Sequence, residues 1–278
     1  MLLGLARDMR YRERLAHITT TITNEWWGFT IGYPIARRLV GLLGDVRAIT
    51  PNRVSIVSVL CAVTGAGMLL LHTTAGDIAC AVFLQLHLIL DCVDGTLARY
   101  RKTMSLLGSF LDKIGDLIGF VCVGCAVGYR AYHADGLGSG EPWIVAAGGL
   151  GAGCYGVVCY MYWLVAYHEL EKTGPRTIDN IGRTTQHART GIANRLLFQL
   201  KGQWRILQFN ALDFTLWVPL LVLLGRSDVA VLMVLITQAT TMAKKLIQRG
   251  QAMAALDRAV GHGSGAGAAS GAEEEPSD

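Results

Sequence analysis

The 278 residues are 52% apolar and only 17% charged, with a positive mean hydropathy, which excludes an ordinary soluble domain, whose charged share is about a quarter. The net charge of +4 gives no ground for a nucleic-acid partner, because polytopic membrane proteins gather Lys and Arg on their cytoplasmic side for topological reasons. Lipid is the solvent these numbers point to.

In chain order, Met1 to His17 carries four arginines and no apolar run of the length a secretory signal needs, so we expect no cleavage there. Glu25 to Val46 mixes Trp26, Trp27, Phe29, Tyr33, Ile35, Leu39, Leu42 and Leu43 with Arg37 and Arg38, a pattern suited to an amphipathic helix lying in the membrane interface. Pro51 and Asn52 break it. Apolar stretches long enough to cross a hydrocarbon core follow at 54–72, 77–98, 107–129, 143–167, 209–225 and 228–247. The fifth is the weakest, since Asp213 interrupts it and Pro219 kinks it. Between the fourth and fifth, His168 to Gln208 is polar with basic residues spaced through it, and Gly261 to Asp278 reads as a disordered Gly- and Ala-rich tail.

The connections alternate in charge. Those near 73–76, 130–142 and 226–227 hold only Arg130 and Arg226 among basic residues, whereas Arg99, Arg101, Lys102, Lys172 through Arg205, and Lys244 through Arg258 fall on the opposite side. By the positive-inside rule both termini are cytoplasmic. The expected fold is an all-α integral membrane protein, a bundle of six transmembrane helices with an N-terminal interfacial helix, multi-pass in the cell inner (plasma) membrane. It divides into a cytoplasmic N-terminal segment 1–53, a transmembrane domain 54–248 and a cytoplasmic tail 249–278.

From residue 91 the chain reads DCVDGTLARYRKTMSLLGSFLDKIGD. Asp91 and Asp94 are three apart and Asp112 and Asp116 four apart, spacings that put each pair on one helix face. The first pair ends the second span and the other starts the third, so a turn through Arg101 to Leu106 brings all four together. Carboxylates at membrane depth cost about 2.5 to 3.5 kcal/mol each on insertion scales, so something positive must meet them. With only Arg99 and Lys113 nearby as cations, the oxygen-rich cluster suits hard divalent ions such as Mg²⁺ or Mn²⁺. Two such ions could bind a pyrophosphate and stabilise a leaving phosphate. Gly95, Ala98 and Gly108 leave room for helices, or a nucleotide, to approach the backbone.

The stretch matches D-x2-D-G-x2-A-R-x8-G-x3-D-x3-D at every fixed position, a chance on the order of one in ten billion per start site at average residue usage. It resembles the motif of the CDP-alcohol phosphotransferase (CDP-alcohol phosphatidyltransferase) family. That resemblance implies Asp91, Asp94, Asp112 and Asp116 as metal ligands, with Asp116 also the base that deprotonates the attacking hydroxyl. It implies nucleotide contacts at Gly95, Ala98, Arg99 and Ser105. Pro51, Asn52 and Ser55 look like the family's P-N-x-x-T element, with Ser keeping the hydroxyl of Thr. The implied activity transfers a substituted phosphate from a CDP-alcohol to an acceptor alcohol with release of CMP, and dimerisation is frequent in the family.

A CDP-diacylglycerol donor, in phospholipid synthesis, is the favoured setting, since such a site opens where lipid can enter sideways. A water-soluble donor such as CDP-inositol is the alternative, and a divalent-cation transporter is the alternative from another class, one that leaves Gly95, Ala98, Arg99 and Gly108 unexplained. Arginines between 176 and 205 suit either a phosphorylated acceptor or anionic headgroups, with topology the cheaper explanation. His87, one turn before Asp91, is expected to pack inside the bundle rather than bond a carboxylate, and Trp26 and Trp27 to anchor at the interface. All seven cysteines lie in apolar runs and read as packing, the lone Cys122-x-x-Cys125 pair included.

Overall fold

In the computed structural model the described residues are 11, 13–15, 17–18, 26–173 and 213–269, so the basic stretch 174–205 and the start of the fifth apolar run, 209–212, lie outside them. The described residues are almost entirely helical. A π-helical turn, Gly28–Gly32, runs into α1 (Tyr33–Leu43), followed by α2 (Pro51–Leu69), α3 (Thr74–Arg101), α4 (Leu106–Tyr132), α5 (Pro142–Thr173), α6 (Phe214–Leu223) and α7 (Ser227–Ala269). Among the described residues, four segments are long and apolar enough to cross a membrane: Pro51–Leu69, Thr74–Arg101, Pro142–Val165 and Ser227–Ala254. α7 continues through Arg249 to Ala269, so helix reaches into a stretch whose composition suggests a tail, and the run Met253–Ala254–Ala255–Leu256 supplies strong helix formers there.

Caps set the boundaries nearest the site. Thr50 is extended and its hydroxyl accepts from Arg53 N at 3.4 Å, with Pro51 at the first helical position of α2. Thr73 caps α3 through Gly76 N at 3.1 Å, and Lys102, at φ 56°, closes it. Ser105 caps α4, accepting from Gly108 N at 3.0 Å. Only Thr103 and Met104 separate the left-handed Lys102 from that cap, and beyond this tight reversal α4 packs against α2 and α5.

Small residues let the helices close in. A Cβ added at Gly148 of α5 would collide with Gly124 O and meet Gly128 Cα at 3.1 Å, so α4 and α5 touch backbone to backbone. Gly119 of α4 likewise faces Ala62 of α2 at 3.0 Å, and Gly115 would collide with Val59. One apolar core, with Leu69, Leu84, Val123, Val127, Ile144, Val218 and Val231, joins α2 through α7. A second, with Ala36, Val40, Leu88, Cys92, Val93 and Leu97, fastens α1 to the site end of α3.

Two tryptophans read as interfacial anchors behave otherwise in part. Trp27 Nε1 donates to Gln85 Oε1 at 2.9 Å and Trp27 N to Asp213 Oδ1 at 2.9 Å, while Gln85 Nε2 donates to Thr215 O at 2.6 Å. These bonds tie the π-helical turn to α3 and to the start of α6. A buried indole N–H requires a partner, and Gln85 provides it inside the bundle.

Candidate active site

The site lies where α2 and α4 begin and α3 ends, with Tyr33 at the start of α1 beside it. A cavity of about 400 Å³ is lined there by Asn52 and Ser55 of α2, by Asp91, Asp94, Gly95, Ala98 and Arg99 of α3, by the cap Ser105, and by Gly108, Asp112 and Asp116 of α4. All eleven residues singled out in the sequence thus share one cavity, of a size typical of small-ligand sites.

Asp91, Asp94 and Asp112 each offer an oxygen within 4.8 Å of the others. Three carboxylates at that separation form a donor set for a hard cation of Mg²⁺ or Mn²⁺ type, so the residues fit such an ion. Asp94 is buried and accepts a short hydrogen bond from Ser55 Oγ, whose oxygen also lies 3.2 Å from Pro51 O. Ser55 therefore fixes one oxygen of Asp94 and leaves the other for a ligand. Lys113 Nζ is 2.7 Å from Asp112 Oδ2 and 3.5 Å from Asp116 Oδ2.

Arg99 folds back over Gly95 in the same cavity. A Cβ at Gly95 would meet Arg99 Nη1 at 3.3 Å, so a side chain there would push against the guanidinium. Arg99 Nη2 makes a long bond to Thr96 Oγ1 at 3.4 Å, and its buried Nε has no partner among the described residues. An unpaired buried guanidinium N–H beside a carboxylate cluster is suited to an anionic group such as a diphosphate. A Cβ at Gly108 would lie 3.2 Å from Ser105 Oγ and 3.3 Å from Asn52 Oδ1, so the α2 and α4 starts meet across this glycine. Ser105 is thus first a helix cap, with its O–H still free to donate while its oxygen accepts.

Among the described residues, His87 hydrogen-bonds Ser58 and not a carboxylate. Its Nδ1 lies 2.8 Å from Ser58 Oγ and 3.2 Å from Ser58 O, while Ser58 Oγ donates to His87 O at 2.9 Å. With the hydroxyl proton so used, Nδ1 carries the imidazole proton. Tyr33, Cys92, Thr103, Met104, Ser109 and Lys113 also line the cavity, and sequence reasoning gave none of them a role in it. Lys113 alone had a signal, being a charge inside the motif. Tyr33 had none, because α1 reaches the site only through tertiary packing.

A helical bundle with apolar spans, holding a carboxylate-lined cavity with an arginine on its wall, is the form of a membrane enzyme acting on phosphate-bearing substrates. The CDP-alcohol phosphatidyltransferase family model matches residues 48–186, from just before α2 across α3, α4 and α5, and the chain belongs to that family. Among curated proteins, none matches it significantly. The protein is accordingly a transferase of substituted phosphate groups that uses a CDP-alcohol donor and an alcohol acceptor, in a family that generally uses divalent metal ions.

Proposed function

We propose that the protein transfers a phosphatidyl group from CDP-diacylglycerol to a polar acceptor alcohol, releasing CMP, as a step in phospholipid synthesis. The observation that carries this reading is the single cavity shared by the four aspartates, Arg99 and the Asn52–Ser55 wall. Its rim favours a lipid donor: Met104, Leu106, Leu107 and Phe110, at the turn into α4, are 75%, 91%, 58% and 56% exposed, an apolar lip on which acyl chains can rest.

Asp91, Asp94, Asp112 and Asp116 are assigned as metal ligands, and Gly95, Ala98, Arg99, Ser105, Gly108, Asn52 and Ser55 as the nucleotide-side contacts. Bound divalent ions would neutralise the diphosphate and stabilise the departing CMP phosphate. Asp116 takes the proton of the acceptor hydroxyl, whose oxygen forms a bond to the phosphorus bearing the diacylglycerol as the bond from that phosphorus to CMP breaks. Arg99 holds the diphosphate with charge-assisted hydrogen bonds, and Ser55 keeps Asp94 oriented.

Six spans are proposed, α4 and α6 with the residues before it completing the four apolar segments. α1 lies along the cytoplasmic interface, and site and termini face the cytoplasm of a plasma membrane. Purified protein with Mn²⁺, a panel of alcohols and either CDP-diacylglycerol or a soluble donor such as CDP-inositol tests the reading by CMP release. CMP with CDP-diacylglycerol alone supports it, CMP with the soluble donor alone overturns the lipid donor, and no CMP with any CDP-alcohol overturns the site.

A further inference from the structure

The aspartate cluster is lopsided. Asp91, Asp94 and Asp112 present oxygens within 4.8 Å of one another, while Asp116 touches the group through Asp91. Between Asp112 and Asp116 lies a cation supplied by the chain itself, Lys113 Nζ, 2.7 Å from Asp112 Oδ2 and 3.5 Å from Asp116 Oδ2. Successive residues of an α-helix point about 100° apart, so Lys113 starts off the face of its two neighbours, and its four-carbon stem must curl back to reach them. Its side chain, 44% exposed, has an open route out again.

An ammonium is a compact point charge with no acceptor capacity, and it uses the same Asp112 and Asp116 oxygens that a metal ion on that side would need. A divalent ion cannot share those oxygens with it without severe repulsion. No such obstacle stands on the Asp91–Asp94 side, where Ser55 presets Asp94.

We propose that Lys113 is a resident cation of the cluster, one that makes metal loading ordered: the first divalent ion binds on the Asp91–Asp94 side, and an ion that needs the Asp112 and Asp116 oxygens binds only when the ammonium leaves. The inference rests on the metal-site reading above. It assigns Lys113 as a positioning residue that sets ion number and affinity.

Mn²⁺ titration of the full-length, detergent-purified protein without nucleotide, followed by electron paramagnetic resonance of free Mn²⁺, tests it. Wild type is expected to bind one ion, with any second at least tenfold weaker. Lys113→Gln and, as a second shape, Lys113→Met gain the second ion at an affinity within threefold of the first, and Lys113→Arg keeps the wild-type pattern. Wild-type stoichiometry and affinities in both neutral variants, with size-exclusion and circular dichroism profiles unchanged, overturn the role of Lys113 while leaving the metal site standing. Absence of Mn²⁺ binding in every folded variant overturns both.

Discussion

Asp116 and Ser55 line one cavity, and under the proposed chemistry they act there in different ways that substitutions separate. Asp116→Asn keeps the volume but removes the proton acceptor, so turnover is expected to fall by about 10²- to 10⁴-fold with the thermal unfolding profile retained. Near-normal CMP release would reject Asp116 as the base. Ser55→Ala removes the hydroxyl that bonds Asp94, and metal affinity is expected to drop by about 10- to 100-fold, as for other residues that orient metal ligands. Ser55→Thr keeps the hydroxyl and is expected to restore affinity in the same Mn²⁺ titration. At this scale the sequence was highly legible, because ionisable groups at membrane depth are costly and rarely placed without a task. Arg99 shows the limit: its offset from Asp94 is plain in the sequence, but its fold over Gly95 and its unpaired Nε come from packing.

Helix pairs tell a similar story one level up. The α4–α5 contact depends on Gly124 and Gly148 lacking side chains, and Gly148→Val is expected to destabilise the protein by about 1 to 3 kcal/mol through overpacking. An unchanged unfolding temperature in detergent would show that the helices do not meet there. At the ends remote from the site, His72 joins α2 to α3 with φ 53°, its ring 4.4 Å from His133 and 5.2 Å from Tyr129. Burial first, then the His133 and Arg130 charges, hold the His72 imidazole below its ordinary value against the opposing pull of Asp77. Folding then excludes a proton that the unfolded chain accepts below about pH 6.5, so stability is full above that value and falls as pH drops beneath it. The unfolding temperature should decline from about pH 7.5 to 5.5, and His72→Asn, which tolerates the left-handed backbone, should flatten the decline. An equal slope in the variant would remove His72 as the cause. Tyr129 and His133 are one helical turn apart at the C-terminal end of α4, a spacing the sequence shows, but His72 reaches them only through tertiary packing.

For the whole molecule, charge placement and helix length make a joint argument about orientation. α3 has 28 residues, about 42 Å at 1.5 Å per residue, and exceeds a hydrocarbon core of about 30 Å, so both of its ends reach polar surroundings. At the site end Arg101 donates to Gly44 O, Val46 O and Ile49 O and pins the loop before α2. At the far end the charges are neutralised in pairs, Arg130 with Asp77 at 2.9 and 3.0 Å and Arg226 with Asp228 at 3.1 and 3.2 Å. Alternation of charge in the sequence anticipates this polarity; the pairing of Arg130 with Asp77 and of Arg226 with Asp228 needs the fold. The basic residues of the sequence gather on the site's side, and under the proposed orientation the positive-inside rule puts that side in the cytoplasm. Gln251, exposed on α7 beyond its apolar part, and Ser139, exposed between α4 and α5, lie on opposite sides under this arrangement. A membrane-impermeant maleimide should label Gln251→Cys only in inverted vesicles and Ser139→Cys only in right-side-out ones, each read over the wild-type cysteine background. The reverse pattern would turn the cavity outward, away from cytoplasmic nucleotide, and a CDP-alcohol made in the cytoplasm could then not reach Asp91 and Arg99.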